Sequence, residues 1–130
     1  MKKFHCSNVT NEILVRMIKN NIEILDVSFC PLLTDELFDY DLFKNVKKLI
    51  CWNCNFTNFN KLYNCEFIDC YFCKNITNSS IDKLLKLRKV KCFGTKISNF
   101  KKYEFLHYYD EYSNLLFVKK KNEFPRISLE

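Results

Sequence analysis

Two Cys-x-x-Cys pairs carry the strongest chemical signal in this 130-residue chain. Fifteen residues separate Cys51 and Cys54 from Cys70 and Cys73. That is the C-x2-C-x15-C-x2-C spacing of a tetrahedral zinc site. Cys6, Cys30, Cys65 and Cys92 complete a set of eight cysteines and form no further pair of this kind. Nucleophilic catalysis has less support. The only histidines are His5 and His107. A Cys–His pair needs its base within hydrogen-bond reach of the thiolate, and nothing in the spacing places either His there. We therefore expect no enzyme. Asp26 and Asp69 resemble a carboxylate pair only in name. They occupy one strand position two repeats apart, so about 9–10 Å separates their backbones, and we expect both on a solvated face.

Composition narrows the classes. Hydrophobic residues make up 48% of the chain, which excludes disorder. The apolar runs are too short for a transmembrane helix. No apolar signal-peptide core follows the basic N-terminus. We expect an intracellular protein, cytoplasmic or nuclear, with reduced thiols rather than disulfides. One Gly and two Pro argue against phosphate-binding loops and turn-rich barrels. The net charge of +6 permits an acidic partner or nucleic acid. Only three of the 21 basic residues are Arg, namely Arg16, Arg88 and Arg126, which argues against nucleic acid. The absence of Ala and Gln, with abundant Asn, Lys, Phe and Ile, resembles codon usage in an A+T-rich genome, as in some protists and their large DNA viruses.

The elements that position the cysteines come from a repeat. Ile22, Leu25, Val27 and Cys30 precede Leu33, Thr34 and Asp35. The frame returns as Val46, Leu49, Cys51, Cys54, then Phe56, Thr57 and Asn58. It returns as Cys65, Ile68, Cys70, Cys73, then Ile76, Thr77 and Asn78, and as Leu87, Val90, Cys92, Thr95, then Ile97, Ser98 and Asn99. A leading half copy carries Cys6, Val9, Thr10 and Asn11, and a degenerate last copy carries Tyr112, Leu115, Phe117 and Lys120. The frame begins at residues 22, 46, 65, 87 and 112. The intervals of 24, 19, 22 and 25 residues lie around the 20–29 residue range of leucine-rich-repeat units. We expect one domain, 1–130, with repeats at 1–21, 22–45, 46–64, 65–86, 87–111 and a terminal cap at 112–130. The frame offers its own account of the cysteines, as a buried column of small hydrophobes with no metal bound.

Each unit reads as a short strand followed by a return. Alternate strand residues point inward. The returns after Asn11, Asp35 and Asn78 have helical spacing, with a Thr–Asn or Thr–Asp start as N-cap. The return at Phe59 is too short for more than a turn. Residues 100–112 read as an amphipathic cover on the outer side, and Lys119, Lys120 and Lys121 as a charged cap on the last strand edge.

At these residues the chain resembles the cysteine-containing class of leucine-rich repeats, with Cys after the strand and apolar-Thr-Asp/Asn before the return. The resemblance covers residues 4–118. It implies an α/β fold, a short right-handed solenoid or horseshoe of about five repeats with parallel strands on the concave face. The class is best known from the substrate-recognition domains of F-box ubiquitin-ligase adaptors. This chain starts inside the first half copy, so we expect no F-box. What carries over is protein binding through the strand face.

Residues between the inward positions line that face. One column is Ser28, Trp52, Tyr71, Phe93 and Val118, and its neighbour is Asp26, Ile50, Asp69, Lys91 and Leu116. Three consecutive aromatics on a wetted surface mark a protein interface. We expect Trp52, Tyr71 and Phe93 to anchor a protein partner, with Ile50, Asp26, Asp69 and Lys91 setting shape and charge. No cofactor and no membrane are expected. The alternatives are a self-associating structural, viral component, a zinc module on Cys51, Cys54, Cys70 and Cys73, or a nucleic-acid binder.

Overall fold

The computed structural model describes residues 7–98 with their side chains. It adds, as backbone, the strands Lys2–Lys3, Leu106–Tyr109 and Leu115–Lys119. His5, Cys6, Tyr112, Lys120 and Lys121 lie outside the described residues. The chain is α/β with a largely parallel sheet and little helix. Its strands are β1 (Lys2–Lys3), β2 (Ile24–Asp26), β3 (Lys48–Ile50), β4 (Phe67–Asp69), β5 (Lys89–Lys91), β6 (Leu106–Tyr109) and β7 (Leu115–Lys119), in that spatial order.

The register of the central strands is the alignment of the repeat. Leu25 pairs Leu49, Leu49 pairs Ile68, and Ile68 pairs Val90. All four side chains are fully buried, as are Val27, Cys51 and Cys70 two residues on. Each unit exposes an apolar side that only the next unit covers, so stacking follows from the hydrophobic effect.

Past each strand the chain must turn its next side chains into the core. It does so through one left-handed residue at the same place in four successive units: Phe29, Asn53, Phe72 and Gly94, with φ of 60°, 58°, 62° and 81°. The backbone N–H groups of Phe29, Asn53 and Phe72 donate to the carbonyls of Trp52, Tyr71 and Phe93, so the ladder continues beyond the strands. The kink delivers Cys30, Cys54 and Cys73 to the interior. Cys54 Sγ donates to the Val27 carbonyl at 3.0 Å and Cys73 Sγ to the Cys51 carbonyl at 2.9 Å. A small apolar side chain with a weak donor fits that place.

The returns differ from the expected helices. Asn11–Met17 forms the α-helix α1, capped by Thr10, whose Oγ1 accepts from the Ile13 N–H. After Thr34 come only 3-10 turns at Asp35–Asp39 and Asp41–Phe43, and after Thr77 a single one at Asn78–Ser80. Residues 59–64 form a set of turns, as their number dictates. Leu37, Phe38 and Phe43 must all reach the core within one return, and a tighter winding with i→i+3 bonds places them there. The Thr–Asp/Asn pairs therefore act mostly between units. Asn11 bonds Thr34 through both its amide groups, Asp35 accepts from the Thr57 N–H and hydroxyl, and Asn78 Oδ1 accepts from the Ser98 N–H.

The C-terminal strands need the largest correction. β6 continues the parallel series, with His107 opposite Lys89 and Tyr109 opposite Lys91. β7 then runs antiparallel to β6, with Val118 opposite His107 and Phe117 opposite Tyr108. Residues 106–109 are thus sheet rather than outer cover, and His107 sits in the strand series rather than outside it. Leu116 and Val118 leave the two columns because a reversed strand inverts their order. β1 makes the parallel run six strands, where about five were expected. No helix among the described residues is long and apolar enough to cross a membrane.

Candidate functional site

The strand face is ordered by register into columns. Ser28, Trp52, Tyr71 and Phe93 stand two residues beyond Asp26, Ile50, Asp69 and Lys91. Trp52 and Tyr71 stack with centroids 5.5 Å apart, and Tyr71 meets Phe93 edge-on at 6.4 Å. The column is therefore a single aromatic stack. Its middle member is covered by the outer two: Tyr71 is 5% exposed, against 37% for Trp52 and 38% for Phe93. The expectation that all three project into water is corrected for Tyr71. Its ring holds the other two in place.

Ser28 and both aspartates are buried as well, which corrects the solvated reading of Asp26 and Asp69. Asp26 Oδ1 accepts the Ser28 N–H at 3.0 Å, and Ser28 Oγ accepts the Trp52 N–H at 3.0 Å. That chain of bonds fixes the backbone under Trp52. Ile50 stands between Asp26 and Asp69 in the register, so the two carboxylates do not act together. Burial pushes the Asp69 carboxyl above its ordinary value, against hydrogen bonds from the Trp52 side chain and the Tyr71 backbone and the positive charge of Lys91 and Lys48. Asp69 Oδ1 has no hydrogen-bond partner among the described residues.

Three features of the face went unread in the sequence. Phe29 and Phe72, at the left-handed position, are 52% and 41% exposed, and Phe72 packs edge-on against Phe93 at 5.5 Å. Gly94 is the position's one glycine, and a Cβ there would lie 2.8 Å from the Phe72 ring. The signal was present: Asn53 and Gly94, both tolerant of positive φ, share a repeat position with the two phenylalanines. The third feature is a column one step back, Lys48, Phe67 and Lys89. Lys48 Nζ lies 4.9 Å and Lys89 Nζ 5.9 Å from the Phe67 ring centroid, and Lys91 Nζ lies 5.9 Å from that of Tyr71. Cations over ring faces are held by the ring quadrupole.

The cysteines lie beneath this face. Cys51 Sγ is 4.0 Å from Cys73 Sγ, while Cys54 and Cys73 donate to carbonyls. Among the described residues, no group of three His, Cys, Asp or Glu side chains is placed to hold a metal ion. Burial pushes Cys51 and Cys70 well up and Cys54 and Cys65 up to about 12. These thiols stay protonated at neutral pH, whereas the bond to Cys51 holds the Cys73 thiol below its ordinary value. Comparison with protein families, curated proteins and solved structures finds no match to this chain.

Proposed function

We propose that the chain is a short leucine-rich-repeat solenoid of the cysteine-containing class, about five repeats long, and that it works as a non-catalytic protein-interaction module. Its partner docks on the concave strand face. Trp52 and Phe93 are the anchors, Tyr71 is the rigid support between them, and Ile50 and Lys91 shape the rim. Asp26 and Asp69 act from below, through the backbone and the indole.

One observation carries this reading. Four aromatic residues, Phe29, Trp52, Phe72 and Phe93, stand exposed along one end of the strand face. Two of them hold a left-handed backbone that costs a bulky residue about 1–2 kcal/mol. Apolar surface kept exposed at such a cost suits a site that another molecule covers. Stacked rings on a hydrogen-bonded ladder also lose little entropy on docking.

The test is affinity capture from source-cell lysate with the wild-type chain and with Trp52→Ala/Phe93→Ala, both confirmed as folded by circular dichroism. Proteins retained by the wild type and lost with the variant support the reading. Identical captured sets would refute it.

A further inference from the structure

The strand-face reading can be taken one step further, to the chemistry of the partner. We propose that the partner presents a carboxylate-rich peptide segment, with its acids against Lys48 and Lys89 and its apolar side chains on Trp52 and Phe93. This inference rests on the reading above.

Among the described residues of β2 to β5, the half-buried charges are basic: Lys48, Lys89 and Lys91. Lys48 and Lys89 flank Phe67 from the two neighbouring strands. Burial lowers the Lys89 ammonium below its ordinary value, and the charged neighbours that add to this, Arg88, Lys48 and Lys91, are all positive. An arriving carboxylate relieves that repulsion. Asp69 Oδ1 is buried beneath Trp52 and Tyr71, out of a partner's reach, so the acids meet lysines at the surface and no exposed carboxylate on β4. A peptide brings carboxylates for the lysines. Its apolar side chains can lie on Trp52 and Phe93.

Other occupants fit less well. Nucleic acid is recognised best by Arg, whose guanidinium grips phosphate in bidentate fashion. Among the described residues the one Arg bordering the face, Arg88, already faces Glu66 at 3.8 Å. A second copy of this chain carries the same charge of +6 and is repelled.

The experiment is fluorescence anisotropy of the full chain with a labelled Glu–Tyr random copolymer, and in parallel with labelled oligo(dT). Lys48→Gln/Lys89→Gln is expected to weaken copolymer binding about tenfold. The control Lys19→Gln/Lys83→Gln, which removes equal charge elsewhere, is expected to leave it within about twofold. Copolymer affinity of the wild type should also fall with added salt, which needs no variant. Tighter binding of oligo(dT), no copolymer binding at low salt, or equal losses in the two lysine pairs would overturn the proposal. If Trp52→Ala/Phe93→Ala abolishes binding while Lys48→Gln/Lys89→Gln does not, the acidic partner falls and the strand face stands. If neither pair matters, both fall.

Discussion

The Trp52 indole stacks on the Tyr71 ring at 5.5 Å with 28° between the planes, and Tyr71 thereby becomes the most buried aromatic of its column. Support and contact are thus divided between neighbours. Tyr71→Ala removes a buried ring and is expected to cost about 3 kcal/mol, whereas Phe93→Ala should cost under about 1 kcal/mol. Urea unfolding of the two variants checks this. Equal costs would mean that the column is not layered as described.

The cysteine column gives the fold an alkaline limit. Burial pushes Cys54 and Cys65 up to about 12 and Cys92 up to about 11, from an ordinary 9.0. The unfolded chain releases these protons near pH 9, while the folded chain keeps them to higher pH. Their contribution to stability is thus full below pH 9 and is lost as pH climbs toward 11 and 12. The urea midpoint should fall between about pH 8 and about pH 10, and fall less in Cys54→Ala/Cys65→Ala. Parallel declines in the two proteins would rule out this origin. We also expect purified protein to fold without stoichiometric zinc and to be indifferent to a chelator.

How much of this was legible in the sequence depends on the element. Leu25, Leu49, Ile68 and Val90 fixed the register of β2 to β5 because a period-two core leaves no alternative pairing. The columns of the strand face followed. Their burial did not, because whether Tyr71 is wet depends on the rotamers of Trp52 and Phe93, and a repeat frame carries no rotamers. The returns were misread where an apolar spacing suited both an α-helix and a 3-10 turn, as at Leu37, Phe38 and Phe43. β6 was missed because the frame decays after Ile97, and Leu115 and Phe117 offered a second match to the strand pattern.

The left-handed position separates stability from function. Phe72→Asn keeps a side chain that tolerates positive φ and removes an exposed ring, so stability should change by less than about 1 kcal/mol. Gly94→Ala places a Cβ 2.8 Å from the same ring at φ 81° and should cost about 1–2 kcal/mol. Thermal melts of both variants check the contrast. A large loss in Phe72→Asn would make Phe72 a structural residue rather than a contact residue.

Asp69 should oppose stability at neutral pH. Burial raises its folded pKa above the unfolded value of 3.8, so its favourable contribution exists below that pH and is lost as pH rises through the folded pKa. Asp69→Asn is expected to melt higher than wild type at pH 7 and together with it at about pH 3. A variant less stable than wild type at pH 7 would contradict the assignment.

The most direct measurement uses the chain's single tryptophan, Trp52. Incorporated 5-fluorotryptophan gives one 19F resonance at the centre of the proposed interface. Addition of a captured, unlabelled partner to saturation is expected to shift or broaden that resonance in step with binding. A resonance unmoved at saturation would place the partner elsewhere and contradict the strand-face account.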